Sequence, residues 1–264
     1  MDTRSFIDKT NRHLRDFLGF EEHMRQIRKQ RGDSVPDAWY RFPYYYELLL
    51  GKDKMRHSGE LLRFPSYVQK KDYEFEIVGM FLKPIKTTDK KEAIAHIRDH
   101  MVFCIFNDAS CRDFQARDML LPLGVSNSKG IADKSFGPLC LQGGDIPMDE
   151  NGVFNIPMSL HVNDELRAYT NFNTIYFTHP KTGELKNWSF AEAVVFMGYM
   201  NQGFEEGSLI GSGTVGNGSI AEHTDRYPWL TDGDRICMHA KGLGDLANVV
   251  EIVPMVDPME IYKE

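Results

Sequence analysis

Apolar positions recur at steps of three and four near the start of the chain, where Leu14, Phe17, Phe20, Met24 and Ile27 are separated by charged residues. That period predicts helix over about residues 4–30, with Gly19 a possible break and Gly32 a stop. An aromatic, turn-rich stretch (PDAWYRFPYYYELLLG) follows, then a polar segment to Gly59. From Leu61 the pattern shortens to strands: ELLRFPS, DYEFEIVGMFL, HMVFCIFND, SLHVND, ELRAYT and NTIYFTH, with GSLIGSG, DRICMHA and NVVEIVP toward the end. Two helices interrupt them. One follows Asp89, with Glu92 three residues on as a capping box; the other runs from about Ser189 to Asn201, with Ser189 and Glu192 as its box and Gly203 as its stop. Strands dominate without a regular βαβ alternation, which predicts a β-rich α+β fold. No repeat or Pro/Gly/Ser linker divides the chain, so one domain is expected. Residues 1–60 are expected to form its N-terminal helical segment and residues 61–264 its β-rich body.

Composition narrows the function classes. The chain has 264 residues, 31 Lys and Arg against 38 Asp and Glu, and a formal net charge of −7. Its one dense basic run, Arg25 to Arg31, reads as a solvated helix face and not as a nucleic-acid surface. The four cysteines are scattered without zinc or CxxC spacing, three of them in apolar stretches. A reducing, cytoplasmic setting is therefore expected. No window approaches the ~20 apolar residues of a membrane span.

The chemistry concentrates in two strands. In KKDYEFEIVGMF the alternation puts Tyr73, Phe75 and Ile77 on one face and Glu74 with Glu76 on the other. Two acids roughly 7 Å apart on a strand can simply face solvent. The continuation Ile77 to Leu82, however, is apolar on both faces, as in a strand that enters the core. Buried, such a pair needs a compensating charge, and no basic residue adjoins it in sequence. Asp108 ends the apolar strand HMVFCIFND, where it could be a helix N-cap or a third acid on a shared ion. A carboxylate set without thiolates favours Mg²⁺, with Ca²⁺ or Mn²⁺ as alternatives.

Taken in order, DYEFE, NDASCRDFQ some thirty residues later, KSFG, GSLIGSGT and GDRICMHAKGLGDLANVV resemble the fumarylacetoacetate hydrolase superfamily over about residues 14–253. Members carry an ExE strand, an NDxSARDxQ corner and a GKSF segment. The resemblance implies a mixed β-sandwich roll with an N-terminal helical lid, a homodimer, and a divalent cation held by Asp16, Glu74, Glu76 and Asp108. Asp16 and His23 stand seven residues apart in DFLGFEEH, the separation at which the family places an aspartate ligand and the catalytic histidine. Glu222 in GNGSIAEH would orient His23, and Lys134 and Gln115 would stabilise an oxyanion. Arg112, Tyr46 and Thr214 would bind substrate.

Several positions depart from the pattern. Leu18 replaces a tyrosine, Gly32 an arginine and Asp133 the glycine before the lysine, while Gln26 stands where smaller members often have glutamate. The implied reaction is hydrolysis of a carbon–carbon bond in a 1,3-diketone or 2,4-dioxo acid. Decarboxylation, hydration or isomerisation of a small oxo acid is the alternative on the same scaffold. GSGTVGNG at 211–218 has dinucleotide-loop spacing, but a lone match without a βαβ unit does not carry a nucleotide site.

Overall fold

The structure, a computed structural model, describes residues 2–121 and 124–261. Two mixed sheets dominate. The larger has seven strands in the order Tyr45–Leu49, His13–Phe17, Leu209–Gly211, Phe75–Phe81, Met101–Asn107, Lys134–Gln142 and Met55–His57. Neighbours run antiparallel, apart from His13–Phe17 beside Leu209–Gly211 and Lys134–Gln142 beside Met55–His57. The smaller has five strands: Glu165–Asn171, Pro157–Val162, Arg235–Ala240, Gly244–Val253 and Leu61–Pro65.

The sheets face each other across one core. Phe75, Ile77, Phe103 and Ile105 from the larger sheet meet Phe64, Met158, Leu160, Met238 and Leu246 from the smaller. Strands of the small sheet alternate between buried and more exposed positions, as expected where one face packs and the other meets water. Phe75–Phe81 and Met101–Asn107 are instead buried at every residue. Their second face packs Val78, Met80, Val102, Cys104 and Phe136 beneath Phe6 of the helix Thr3–Lys9. Glu74 and Glu76 are therefore inside the protein, and the solvent-face reading of the strand is excluded.

The N-terminal region corrects the sequence reading. Residues 4–30 are not one helix: Thr3–Lys9 and Glu21–Gln30 flank the strand His13–Phe17. The apolar spacing that suggested a continuous helix has two origins. Leu14 and Phe17 belong to the strand and face opposite cores, whereas Met24 anchors the second helix to Trp39, Tyr40 and Trp188. Gly32 does end that helix region, at φ +75°. The two capping boxes are incomplete. Asp89 caps Lys91, but Glu92 binds Thr87; Ser189 makes no cap bond, and Glu192 pairs with Lys90. The helix Phe190–Tyr199 turns at Asn201, φ +58°, before reaching Gly203, since asparagine tolerates the left-handed conformation. No disulfide joins the four cysteines, and no helix among the described residues is long and apolar enough to cross a membrane.

Candidate metal centre and active site

Strand parity builds the site. Leu14, Val78 and Phe106 belong to the second core, and Asp16, Glu76 and Asp108 lie two residues from each along the same strands or just beyond their ends. Side chains two apart share a face, so the three acids continue an apolar sheet face at one end. Between the strands of Asp16 and Glu76 runs Leu209–Gly211, which pairs with both and places Gly211 opposite Asp16. A Cβ at 211 would stand 2.1 Å from Asp16 Oδ1. The missing side chain lets acids from non-adjacent strands converge. One oxygen from each of Asp16, Glu76 and Asp108 lies within 4.8 Å of the others, and all three residues are buried.

Few donors serve this cluster. Thr214 Oγ1 donates to Glu76 Oε1 at 3.2 Å and Gly213 N to Asp16 Oδ1 at 3.2 Å. Glu76 Oε2 has no hydrogen-bond partner among the described residues. Asp108 is better supplied, by Tyr46 OH at 2.7 Å, Lys134 Nζ at 2.6 Å and Lys129 Nζ. Burial, reinforced by Asp16 and then Asp108, pushes Glu76 well above the usual carboxylate range. Burial and Asp108 raise Asp16 to about 7. Burial with Asp108 nearby also raises Tyr46 well above its ordinary value, so it remains a donor. Buried, mutually repelling carboxylates with a free oxygen fit a hard divalent cation.

Glu74 has different company. Its Oε1 accepts from Arg112 Nη2 at 2.8 Å, and its Oε2 from Ser110 Oγ at 3.0 Å and from Lys129. Burial opposes its charge, but Arg112 and Lys129 hold it well below the usual range. Arg112 makes two further contacts: Nε donates to Asp72 at 2.7 Å and Nη1 to Gln115 Oε1 at 2.9 Å. Asp72 also accepts from the backbone of Ile220 at 2.7 Å and Ala221 at 3.1 Å. Arg112 thus ties the carboxylate strand to the turn that carries Glu222.

His23, in the helix Glu21–Gln30, is 3% exposed. Its Nδ1 stands 3.3 Å from Glu222 Oε1 and its Nε2 3.8 Å from Glu74 Oε1. The first contact is not aligned as a hydrogen bond; such contacts commonly tighten only with substrate present. Glu222 is fixed by Asn217 N at 2.9 Å, Ser219 N at 2.8 Å and Ser219 Oγ at 3.1 Å.

A cavity of about 300 Å³ opens beside these groups, with Asp16, His23, Tyr46, Glu74, Glu76, Arg112, Gln115 and Thr214 on its wall. Leu18, Met24, Ile27, Met119 and Val125 make part of it apolar, and Arg28 and Arg31 also line it. Lys134 is not on the wall; its ammonium is directed at Asp108 and the carbonyl of Ala109. Asp133, which stands in for a family glycine, is buried and paired with Arg56 at 2.7 Å.

Two participants escaped the sequence reading. Asp72 shares the parity of Glu74 and Glu76, a signal present in DYEFE. Lys129 gave none, because a lysine in the polar run SNSKG looks like a solvated surface residue.

The family follows from a direct comparison. Residues 12–251 match the model of the fumarylacetoacetate (FAA) hydrolase C-terminal domain, and the chain belongs to that family. No curated protein matches the sequence. Among solved structures, fumarylpyruvate hydrolase from Pseudomonas aeruginosa in complex with Mn²⁺ and pyruvate is similar at TM-score 0.65 and 19% identity, over 92% of this chain and 90% of that one. A 5-carboxymethyl-2-hydroxymuconate delta-isomerase from Mycobacterium smegmatis aligns at TM-score 0.65 and 16% identity, over 94% and 81%. Fumarylacetoacetate hydrolase from Exiguobacterium antarcticum aligns at 0.63 and 18%, over 92% and 76%. These likenesses establish the fold.

Proposed function

We propose that the protein is a divalent-cation-dependent hydrolase that cleaves a carbon–carbon bond in a 2,4-dioxo acid or related 1,3-diketone. The observation that carries this reading is the convergence of Asp16, Glu76 and Asp108 together with the buried His23–Glu222 pair, with Asp16, Glu76 and His23 on the wall of one cavity. Asp16, Glu76 and Asp108 would hold the ion, taken as Mg²⁺ with Mn²⁺ or Ca²⁺ as substitutes. When bound, it supplies Lewis acidity to polarise a carbonyl and offset the negative charge developed on cleavage.

The chain's own residues supply the rest. Glu222 holds the proton on His23 Nδ1, leaving Nε2 as the base that takes a proton from an attacking water. Gln115 faces the same space and can donate its amide to the oxyanion. Arg112 and Tyr46 act chiefly by holding acids: three of the five Arg112 N–H donors go to Asp72, Glu74 and Gln115, and the Tyr46 hydroxyl goes to Asp108. The substrate's carboxylate is then met by Arg28 and Arg31, and its apolar part by Met24, Ile27 and Met119.

Isomerisation is the second reading, favoured by the shared fold of an isomerase at TM-score 0.65; a base beside a cation site also serves proton transfer. Incubating the Mg²⁺-loaded protein with a panel of acylpyruvates and hydroxymuconates, with products identified by mass, separates the two. Two shorter products are expected. A product of unchanged mass would establish isomerisation, and loss of CO₂ decarboxylation.

A further inference from the structure

The contact between His23 Nδ1 and Glu222 Oε1, 3.3 Å and not aligned as a hydrogen bond, leaves the frame around the pair to fix its geometry. The two residues come from distant parts of the chain, so the helix Glu21–Gln30 must be tied to the turn over 217–223. Helix residues four apart share a face. His23, Ile27 and Arg31 line the active-site cavity, whereas Glu22, Gln26 and Gln30 belong to the stripe that meets the turn. Gln30 Nε2 donates to the carbonyl of Glu222 at 3.1 Å. Gln26 Nε2 donates to Glu22 Oε1 and, at 2.9 Å, to Asn217 Oδ1. That same oxygen lies 2.9 Å from His223 Nε2. The approach is close: a Cβ at Gly216 would stand 2.6 Å from Glu22 Cγ.

We infer that Asn217 is a positioning residue of the His23–Glu222 pair, and that Gln26 latches the histidine's helix to it. The inference rests on the reading of His23 as the base. Asn217 reaches both partners. Its backbone N–H donates to Glu222 Oε1, the oxygen that faces His23, and its side chain holds Gln26, one turn beyond His23 on the same helix. Asparagine suits the place, since φ at 217 is +65°, a conformation it tolerates better than most residues. The latch has a direction. Glu22, ion-paired with Arg25 through Oε2, only accepts hydrogen bonds. Gln26 therefore turns its amide nitrogen toward Glu22 and Asn217, even though its Oε1 is then left without a partner among the described residues. Asn217 presents its oxygen, and His223 must donate through Nε2. A glutamate at 26, which smaller members of the family often carry, would meet Glu22 and the Asn217 oxygen with no donor between them. Asn217 could answer only by reversing its amide, which places Nδ2 against His223 and moves that ring's proton to Nδ1.

The test uses the full chain with ¹⁵N-labelled histidine. Long-range ¹H–¹⁵N spectra in alkaline buffer separate Nδ1–H from Nε2–H rings, and His23→Gln and His223→Gln assign the signals. Wild-type His223 is expected as Nε2–H and His23 as Nδ1–H. Gln26→Glu should switch His223 to Nδ1–H. Asn217→Gly keeps the positive φ and the backbone bond to Glu222 but removes the latch, so the His23 signal should spread over both tautomers. With Mg²⁺ and the acylpyruvate turned over best, Asn217→Gly should lower kcat about tenfold or more, at a KM within about twofold of wild type. In a His23→Ala background the same change should cost less than about twofold, because a positioning residue acts through the base. Full additivity of the two losses overturns the inference, as does an unchanged His23 signal in Asn217→Gly or an Nδ1–H ring at His223 in wild type. Should Asn217→Gly not fold, Gln26→Met removes the same latch from the helix side. If wild type turns over no acylpyruvate, the hydrolase reading falls and the spectra alone decide the latch.

Discussion

Gly211 and Asp16 stand opposite each other on paired strands with no room between them for a Cβ, which would fall 2.1 Å from the carboxylate oxygen. Gly211→Ala must therefore displace the Asp16 side chain or spread the two strands. Overpacking of this kind costs about 1–3 kcal/mol, and the displaced ligand should weaken Mg²⁺ binding by tenfold or more. Calorimetric titration beside a thermal melt checks both. An alanine variant that binds Mg²⁺ as wild type does would show that Asp16 is not held at the ion.

His23 and Glu222 sit beside the carboxylates, and neither belongs to the converging triad. His23→Ala should lower kcat by 10² or more with Mn²⁺ affinity unchanged. Glu222→Gln should give a smaller loss in kcat and a shifted pH profile, because the amide orients the ring without stabilising its charged form. A His23→Ala enzyme turning over at the wild-type rate would remove the proposed base.

Arg112 separates structural from substrate-binding roles. Among the described residues it alone bridges the buried Asp72 and Glu74 through side-chain contacts, and removing one partner of a buried pair costs roughly 3–5 kcal/mol. Arg112→Met should lower Tm strongly, before any effect on KM is considered. An unchanged Tm with a raised KM would instead make Arg112 a substrate ligand.

The pH dependence has a definite sign. Asp16 is raised from an ordinary 3.8 to about 7, by burial and then by Asp108. A carboxyl raised on folding contributes stability that is present below its unfolded value and lost as pH rises through its folded one. The metal-stripped protein should therefore lose thermal stability between about pH 5 and pH 8. Saturating Mg²⁺ should remove most of that slope, and its apparent affinity should fall as protons compete below pH 7. Glu74 shifts the opposite way, so its contribution is lost only in more acidic solution, outside that window. Melts in EDTA that rise steadily from pH 5 to pH 8 would contradict this.

Much of the site was legible in the chain because strand parity is legible. Tyr73, Phe75 and Ile77 against Glu74 and Glu76 is a period of two that survives without any knowledge of neighbours, and the apolar run from Ile77 already argued for burial. The stretch 4–30 failed because steps of three and four arise equally from a strand and a helix joined at Gly19, whose Cβ would meet the carbonyl of Ser212 at 2.5 Å. That contact is long-range, and local spacing carries no trace of it. The partition of the acids was hidden for the same reason. Glu74 and Glu76 are chemically equivalent in sequence; what divides them is Arg112 and Lys129 on one side and Thr214 on the other.

The central claim is that Asp16, Glu76 and Asp108 hold one divalent ion per chain, and a single titration tests it. Metal-stripped wild type and Glu76→Gln are titrated with Mn²⁺ by isothermal calorimetry at pH 8, above the value of about 7 to which Asp16 is raised. One ion per wild-type chain is expected, with saturable binding lost in the variant. No saturable binding to wild type, or unchanged affinity in Glu76→Gln, would contradict it.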